Sequence, residues 1–130
     1  VNEAKARQIV TARSGGRCEL CRNNKADSWA HRRSRGQGGL WTPSNGLALC
    51  GSGTSGCHGW TEHNPTLAAA GGWRLVHDHR DPAEVPVWLA PALTWPGWWL
   101  LDDDGMYLPA PDADTPQLPP TLAGGANPVK

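Results

Sequence analysis

Cys18-Glu19-Leu20-Cys21, Ser28-Trp29-Ala30-His31-Arg32-Arg33, Pro43-Ser44-Asn45-Gly46-Leu47-Ala48-Leu49-Cys50 and Cys57-His58-Gly59-Trp60-Thr61-Glu62-His63 together decide how this chain folds. All four cysteines and three of the five histidines fall within this stretch. Two residues separate Cys18 from Cys21, the spacing of a tight turn that aims both thiolates at one tetrahedral ion. Redox motifs share that spacing, so the second pair carries the decision. Cys50 and Cys57 are separated by six residues, GSGTSG, wider than an ordinary zinc knuckle. An insert of glycine, serine and threonine can loop out without straining the pair. With no cysteine to spare, the four predict a closed structural zinc site in preference to two disulfides. Three cysteines plus His31 or His58 form an alternative ligand set.

Working outward, residues 2–13 are good helix formers with Asn2 as N-cap and Arg13 placed to suit the helix dipole. Ala6, Ile9 and Val10 share one stripe, and Ser14-Gly15-Gly16 stops the helix. Ser28–Arg32 reads as a short strand delivering His31 to a loop rich in Arg and Gly. Glycines let a backbone approach a phosphate closely, and Arg32, Arg33 and Arg35 supply donors. After the Pro43–Gly46 turn, Leu47–Leu49 reads as a second strand. A helix capped by Thr54 or Ser55 then carries His58, Glu62 and His63. The order is two strands and a helix around a metal centre.

In the rear half, Asn64–Ala70 reads as a short Pro-initiated helix stopped by Gly71-Gly72. Trp73–His77, Val87–Leu89, Trp98–Leu101 and Met106–Leu108 read as strands, with Asp102–Gly105 as a hairpin turn. His77-Asp78-His79 and Asp102–Asp104 are weaker metal candidates, and Trp95, Trp98 or Trp99 could form an exposed docking patch. The Pro/Ala/Gly-rich residues from Pro109 onward read as a disordered tail.

Composition bounds the rest. Eight tryptophans stand beside no phenylalanine and one methionine, so the aliphatic core is small and a staple is needed. The zero net charge hides an asymmetry. Residues 1–40 hold nine Lys/Arg against three acids, whereas residues 75–130 hold two against eight. A basic front and an acidic rear fit one face turned toward phosphates, or simply a dipolar solvated surface. No segment approaches the ~18 apolar residues of a membrane span, and no apolar signal region opens the chain. A cytoplasmic setting is expected, and it favours zinc over disulfides.

The succession CxxC, AH with a basic RSRGxGG loop, PSN-x-LALC and CH resembles the HNH endonucleases, and is most similar to the small HNH proteins of tailed bacteriophages. The likeness covers about residues 13–65 and continues more weakly through GGWRLV, DPAEVPV and GWWLLDDDG. It implies an α+β fold with a ββα-metal (HNH, His-Me finger) core, one catalytic divalent cation, and hydrolysis of phosphodiester bonds in double-stranded DNA. It also implies a role near genome packaging in the bacterial host cytoplasm, with the phage terminase as partner. By the same resemblance His31 is the general base, Asn45 orients the loop and His31, and His58 binds the catalytic cation, Mg2+ or Mn2+.

There is a departure at Ala30, where many family members place a metal-binding Asp or His. On a helix Glu62 lies at i+4 from His58 and shares its face, while His63 at i+5 is rotated about 140° away. Glu62 is therefore the expected second ligand, with His63 as the alternative. The expected organisation is a nuclease core with its N-terminal helix over 1–65, a helical and β-rich extension packed on it over 66–108, and a tail over 109–130. The rival reading is a non-catalytic zinc-ribbon module that binds DNA or protein. A toxin-like or restriction nuclease is a third.

Overall fold

The computed structural model describes residues 2–90, 96–111 and 115. Helix α1 spans Glu3–Ser14, begun by the Asn2 side chain accepting from the Lys5 amide at 2.9 Å and ended by Gly15 in the left-handed region. Its apolar stripe is narrower than expected, because Ala6 and Val10 are buried while Ile9 is only half covered. Ala6 and Val10 pack on Trp29 and Ala48, which project from one side of a two-stranded hairpin.

That hairpin pairs β1, Ser28–His31, antiparallel with β2, Gly46–Leu49, placing Ser28 opposite Leu49 and His31 opposite Gly46. Gly46 is required there: a Cβ would meet the Trp29 ring at 2.1 Å. Helix α2, Gly56–His63, and helix α3, Pro65–Ala70, follow. Ser55 and Asn64 occupy the two cap positions without donating or accepting a side-chain cap bond. Asn64 instead donates to the Trp60 carbonyl at 2.9 Å.

A second antiparallel sheet has the order β3, Val87–Leu89, β4, Gly97–Leu101, and β5, Tyr107–Pro109. The strand expected over Trp73–His77 does not form. The Trp73 and Arg74 amides both return to the Ala68 carbonyl, and the Leu75 amide donates to Arg32, so the segment has no ladder partner. Burial of the Trp73 indole, whose Nε1 donates to the Trp88 carbonyl at 2.7 Å, governs its path instead. Periodicity alone could not reveal that.

Leu47, Leu49, Cys50 and Cys57 share one apolar cluster with Ala68, Trp73, Val87, Leu89 and Leu101, so front and rear are welded through a common core. The molecule is mixed α+β with two small antiparallel sheets. Trp98 and Trp99 are half-buried and packed edge-on against Trp88 and Tyr107, not free on the surface. Trp95 and nearly all of the expected tail lie outside the described residues. Among the described residues no helix is long and apolar enough to cross a membrane.

Candidate metal and phosphodiester site

The Sγ atoms of Cys18, Cys21, Cys50 and Cys57 lie within 4.8 Å of one another, and all four thiols are free of disulfides. Cys21 and Cys50 sulfurs are 3.9 Å apart, close to the ~3.8 Å that tetrahedral zinc with ~2.3 Å bonds imposes on its ligands. Cys50 also accepts from the Cys57 amide at 3.4 Å and the Asn24 side chain at 3.8 Å, as outer-shell donors to a ligating thiolate do. The Cys18 thiol is pulled down to about 5, foremost by its hydrogen bond with Cys57. Cys21 is pushed up to about 11 by burial, with the neighbouring Cys18 charge adding to it.

The wide second spacing is absorbed as expected. Ser52 and Ser55 exchange backbone hydrogen bonds of 3.1 and 3.2 Å, closing residues 52–55 into an exposed loop. Gly51 and Gly56 at its base have φ of +84° and +62°, and a Cβ on Gly51 would lie 2.1 Å from the Ser55 carbonyl oxygen.

On α2, His58 Nδ1 is 2.7 Å from Ser28 Oγ. The Ser28 hydroxyl is also 3.0 Å from the Gly51 carbonyl, so its one proton serves either that carbonyl or His58 Nδ1. His58 Nε2 lies 3.6 Å from Glu62 Oε1. Burial holds the His58 pKa below its usual value, against the nearby Glu62 charge and hydrogen bond, which raise it. Arg74 Nη1 bonds the same Glu62 oxygen at 2.9 Å. The i+4 relation thus brings Glu62 to His58, whereas His63 is exposed at the helix end.

His31 closes β1 on the side of the hairpin that carries Trp29. Its ring meets Trp41 edge-on at 4.4 Å and Trp29 at 5.8 Å, and its Nε2 is buried without a hydrogen-bond partner. Burial lowers its pKa, assisted by the charges of Arg35, Arg7 and Arg74. His58 is bonded to Ser28, which alternates to the other side of the strand. The two imidazoles are therefore not stacked together; Arg74 is the group whose charge depresses both.

Asn45, 1% exposed, is bound on every side. Its Oδ1 accepts from the Arg33 amide at 2.8 Å, its Nδ2 donates to the Arg33 and Leu40 carbonyls at 3.1 Å, and its own carbonyl accepts from the Arg32 amide. It braces the whole loop that follows His31.

The arginines require correction. Arg32 is fully buried and cannot contact DNA: its guanidinium donates to the carbonyls of Gly72, Ser44, Pro82 and Val85 at 2.8–2.9 Å. Burial brings its pKa down to about 9, which still leaves it charged at neutral pH. Arg33 is half-buried and spends its Nη2 on the carbonyls of Asp78 and Arg80, both at 2.7 Å. Only Arg35 is exposed, lying 6.0 Å from the Trp41 ring centre, with Arg7 at 5.0 Å. The reason is local: a charged loop on a small domain becomes the clamp that holds neighbouring carbonyls when the chain folds over it.

The other candidates stay apart from metal chemistry. Asp78 pairs with Arg80, which holds its carboxyl down at about 2, and Asp102 and Asp103 accept backbone amides. Among the described residues the cysteines are the one group of three or more ligating side chains that converges. Sequence reasoning missed Ser28, Trp41 and Arg74, for isolated residues in unremarkable segments carry no spacing signal. No protein-family model matches this chain, and no curated protein or solved structure matches it.

Proposed function

We propose that the protein is a metal-dependent endonuclease of the HNH type, hydrolysing phosphodiester bonds of duplex DNA, with a ββα-metal core held by a structural zinc on Cys18, Cys21, Cys50 and Cys57. The observation that carries this reading is the His58 seat. His58 Nδ1 is held by Ser28 at 2.7 Å, and Nε2 lies 3.6 Å from the Glu62 carboxylate. With its proton on Nδ1, His58 would offer Nε2 and Glu62 together as a two-point seat for a cation. Mg2+ or Mn2+ there would supply positive charge to the scissile phosphate.

The chain's own residues do the remainder. By the resemblance His31 would be the base that takes the proton of the attacking water; its Nε2 is buried beside Trp41, on the other side of β1 from the His58 seat, so the role requires the Trp41 cover and the ring to shift. Asn45 holds the loop that positions it. Arg74, bonded to Glu62 at 2.9 Å, would add positive charge beside the seat. Ala30 is 2% exposed and packed in the core, so no third protein ligand comes from its position. A packaging role beside a phage terminase rests on resemblance alone.

A plasmid-nicking assay with Mg2+ or Mn2+ tests the proposal. Both His31→Ala and His58→Ala are expected to reduce nicking about 10²–10⁴-fold. Equal nicking by wild type and His31→Ala would remove His31 from the mechanism.

A second reading, a zinc-held DNA- or protein-binding module without catalysis, is favoured by two contacts: Trp41 over His31 and Arg74 on Glu62. It requires salt-dependent DNA binding and no cleavage with any divalent cation.

A further inference from the structure

Beyond Arg74 the molecule holds a cleft of about 500 Å³. Arg74, His77, Asp78, His79, Arg80 and Trp98 supply its polar and aromatic lining, beside apolar residues that include Leu75, Val76 and Val85. Its volume is that of an ordinary small-ligand pocket, ~300–1,000 Å³. That is room for a nucleotide unit and not for a double helix.

Three observations bear on what it holds. First, the cleft shares a wall with the His58 seat, since Arg74 both lines it and bonds Glu62 at 2.9 Å. Second, its walls are built, and the hairpin-loop arginines build them. Arg32 grips the carbonyls of Gly72 and Val85, and Arg33 ties those of Asp78 and Arg80. The same two residues follow His31 directly, so the cleft is fixed in place relative to the end of β1. Third, the lining suits a nucleotide. Its one carboxylate, Asp78, is already neutralised by Arg80 at 2.7 Å. Arg74 is held by Glu62 at 2.9 Å, which leaves the imidazoles of His77 and His79 for a phosphate. Trp98, propped edge-on by Trp88 at 5.5 Å, offers a ring on which a base can stack.

We propose that this cleft binds a single-stranded nucleotide flanking the scissile phosphate, with its base on Trp98 and its phosphate at His77 and His79. The position of the scissile phosphate rests on the nuclease reading; the cleft itself is tested by binding alone. A protein that opens the duplex beside its cut, or acts where single strand meets double strand, needs such a subsite.

The full chain is titrated, without added Mg2+ or Mn2+, against a fluorescent blunt duplex and the same duplex carrying a short oligothymidylate extension. Wild type is expected to bind the extended probe about tenfold more tightly, the order of one stacked base. Trp98→Ala and, separately, the exposed-loop double variant His77→Ala/His79→Ala are expected to lose that advantage while retaining affinity for the blunt duplex. The double variant keeps the test decisive if Trp98→Ala fails to fold. Equal wild-type affinity for the two probes overturns the proposal, as does a full advantage in the double variant. Displacement of the extension by polyglutamate as readily as by free oligothymidylate also overturns it, in favour of an acidic peptide. An advantage in the titration, with no cleavage of the same probes once Mg2+ or Mn2+ is added, leaves the cleft standing and removes the nuclease; cleavage with the cation but no advantage removes the cleft alone.

Discussion

His31 shows how one side chain is tuned by what lies on it. The Trp41 ring at 4.4 Å and three nearby arginines make protonation costly, so the imidazole binds its proton less tightly folded than unfolded. Trp41→Ala admits water and is expected to raise the His31 pKa toward ~6.5, read from ring proton shifts against pH. An unchanged titration would show that the arginines and not burial set it. The stability consequence has a definite sign. The pKa is depressed in the fold, so the contribution is present above the unfolded value near ~6.5 and is lost as pH falls through the folded one. Urea unfolding should therefore show a shallower acid limb for His31→Gln than for wild type. At the neighbouring seat, Glu62→Gln keeps a hydrogen-bond acceptor for Arg74 but removes the carboxylate. It is expected to weaken Mn2+ binding about 10–100-fold by calorimetry; unaltered affinity would take Glu62 out of the ligand set.

Elements meet through charges the sequence disguised. Arg13 reads as a dipole-capping arginine at the end of α1, and nothing in the sequence singles out Glu19 between its two cysteines. In the fold both side chains are wholly buried and form a two-pronged pair at 2.8 and 2.9 Å. Arg13 also donates to the carbonyls of Pro43 and Gly46, Glu19 accepts from the Ala48 amide, and the Tyr107 hydroxyl donates to Glu19. α1, the cysteine turn, β2 and β5 are thereby tied at one point. Removing one partner strands the other charge. Arg13→Met and Glu19→Gln should each cost about 3–5 kcal/mol in urea unfolding. Tyr107→Phe should cost about 1.5–3 kcal/mol, as one hydrogen bond to a charged group. A loss below 1 kcal/mol for Glu19→Gln would mean that water replaces the pair.

At the scale of the whole molecule, the cysteine cluster is where front and rear meet. Cys18, Cys50 and Cys57 belong to the same apolar cluster as Leu101 at the far end of the rear sheet. A small core of this kind without its ion is expected to unfold cooperatively, front and rear together. Metal analysis should find one zinc per chain, and chelation should abolish the near-ultraviolet signal of buried Trp73 along with that of Trp60. Retention of the rear-sheet signal after zinc loss would show that the halves fold independently.

The cysteine spacing, the caps at Asn2 and Gly15, the apolar run Leu47–Leu49 and the i+4 relation of His58 to Glu62 were all readable in the sequence, because each depends on separations of a few residues. The chain by itself therefore determined the four-cysteine cluster, the hairpin followed by a helix, and the pairing of Glu62 with His58. Only the tertiary structure decided which charges are exposed. It buried Arg13, Glu19 and Arg32, turned Arg33 onto a rear loop, denied Trp73–His77 a strand partner and laid Trp41 over His31. Burial is a property of the space between distant segments, and an arginine's letter is the same whether it meets a phosphate or four carbonyl oxygens.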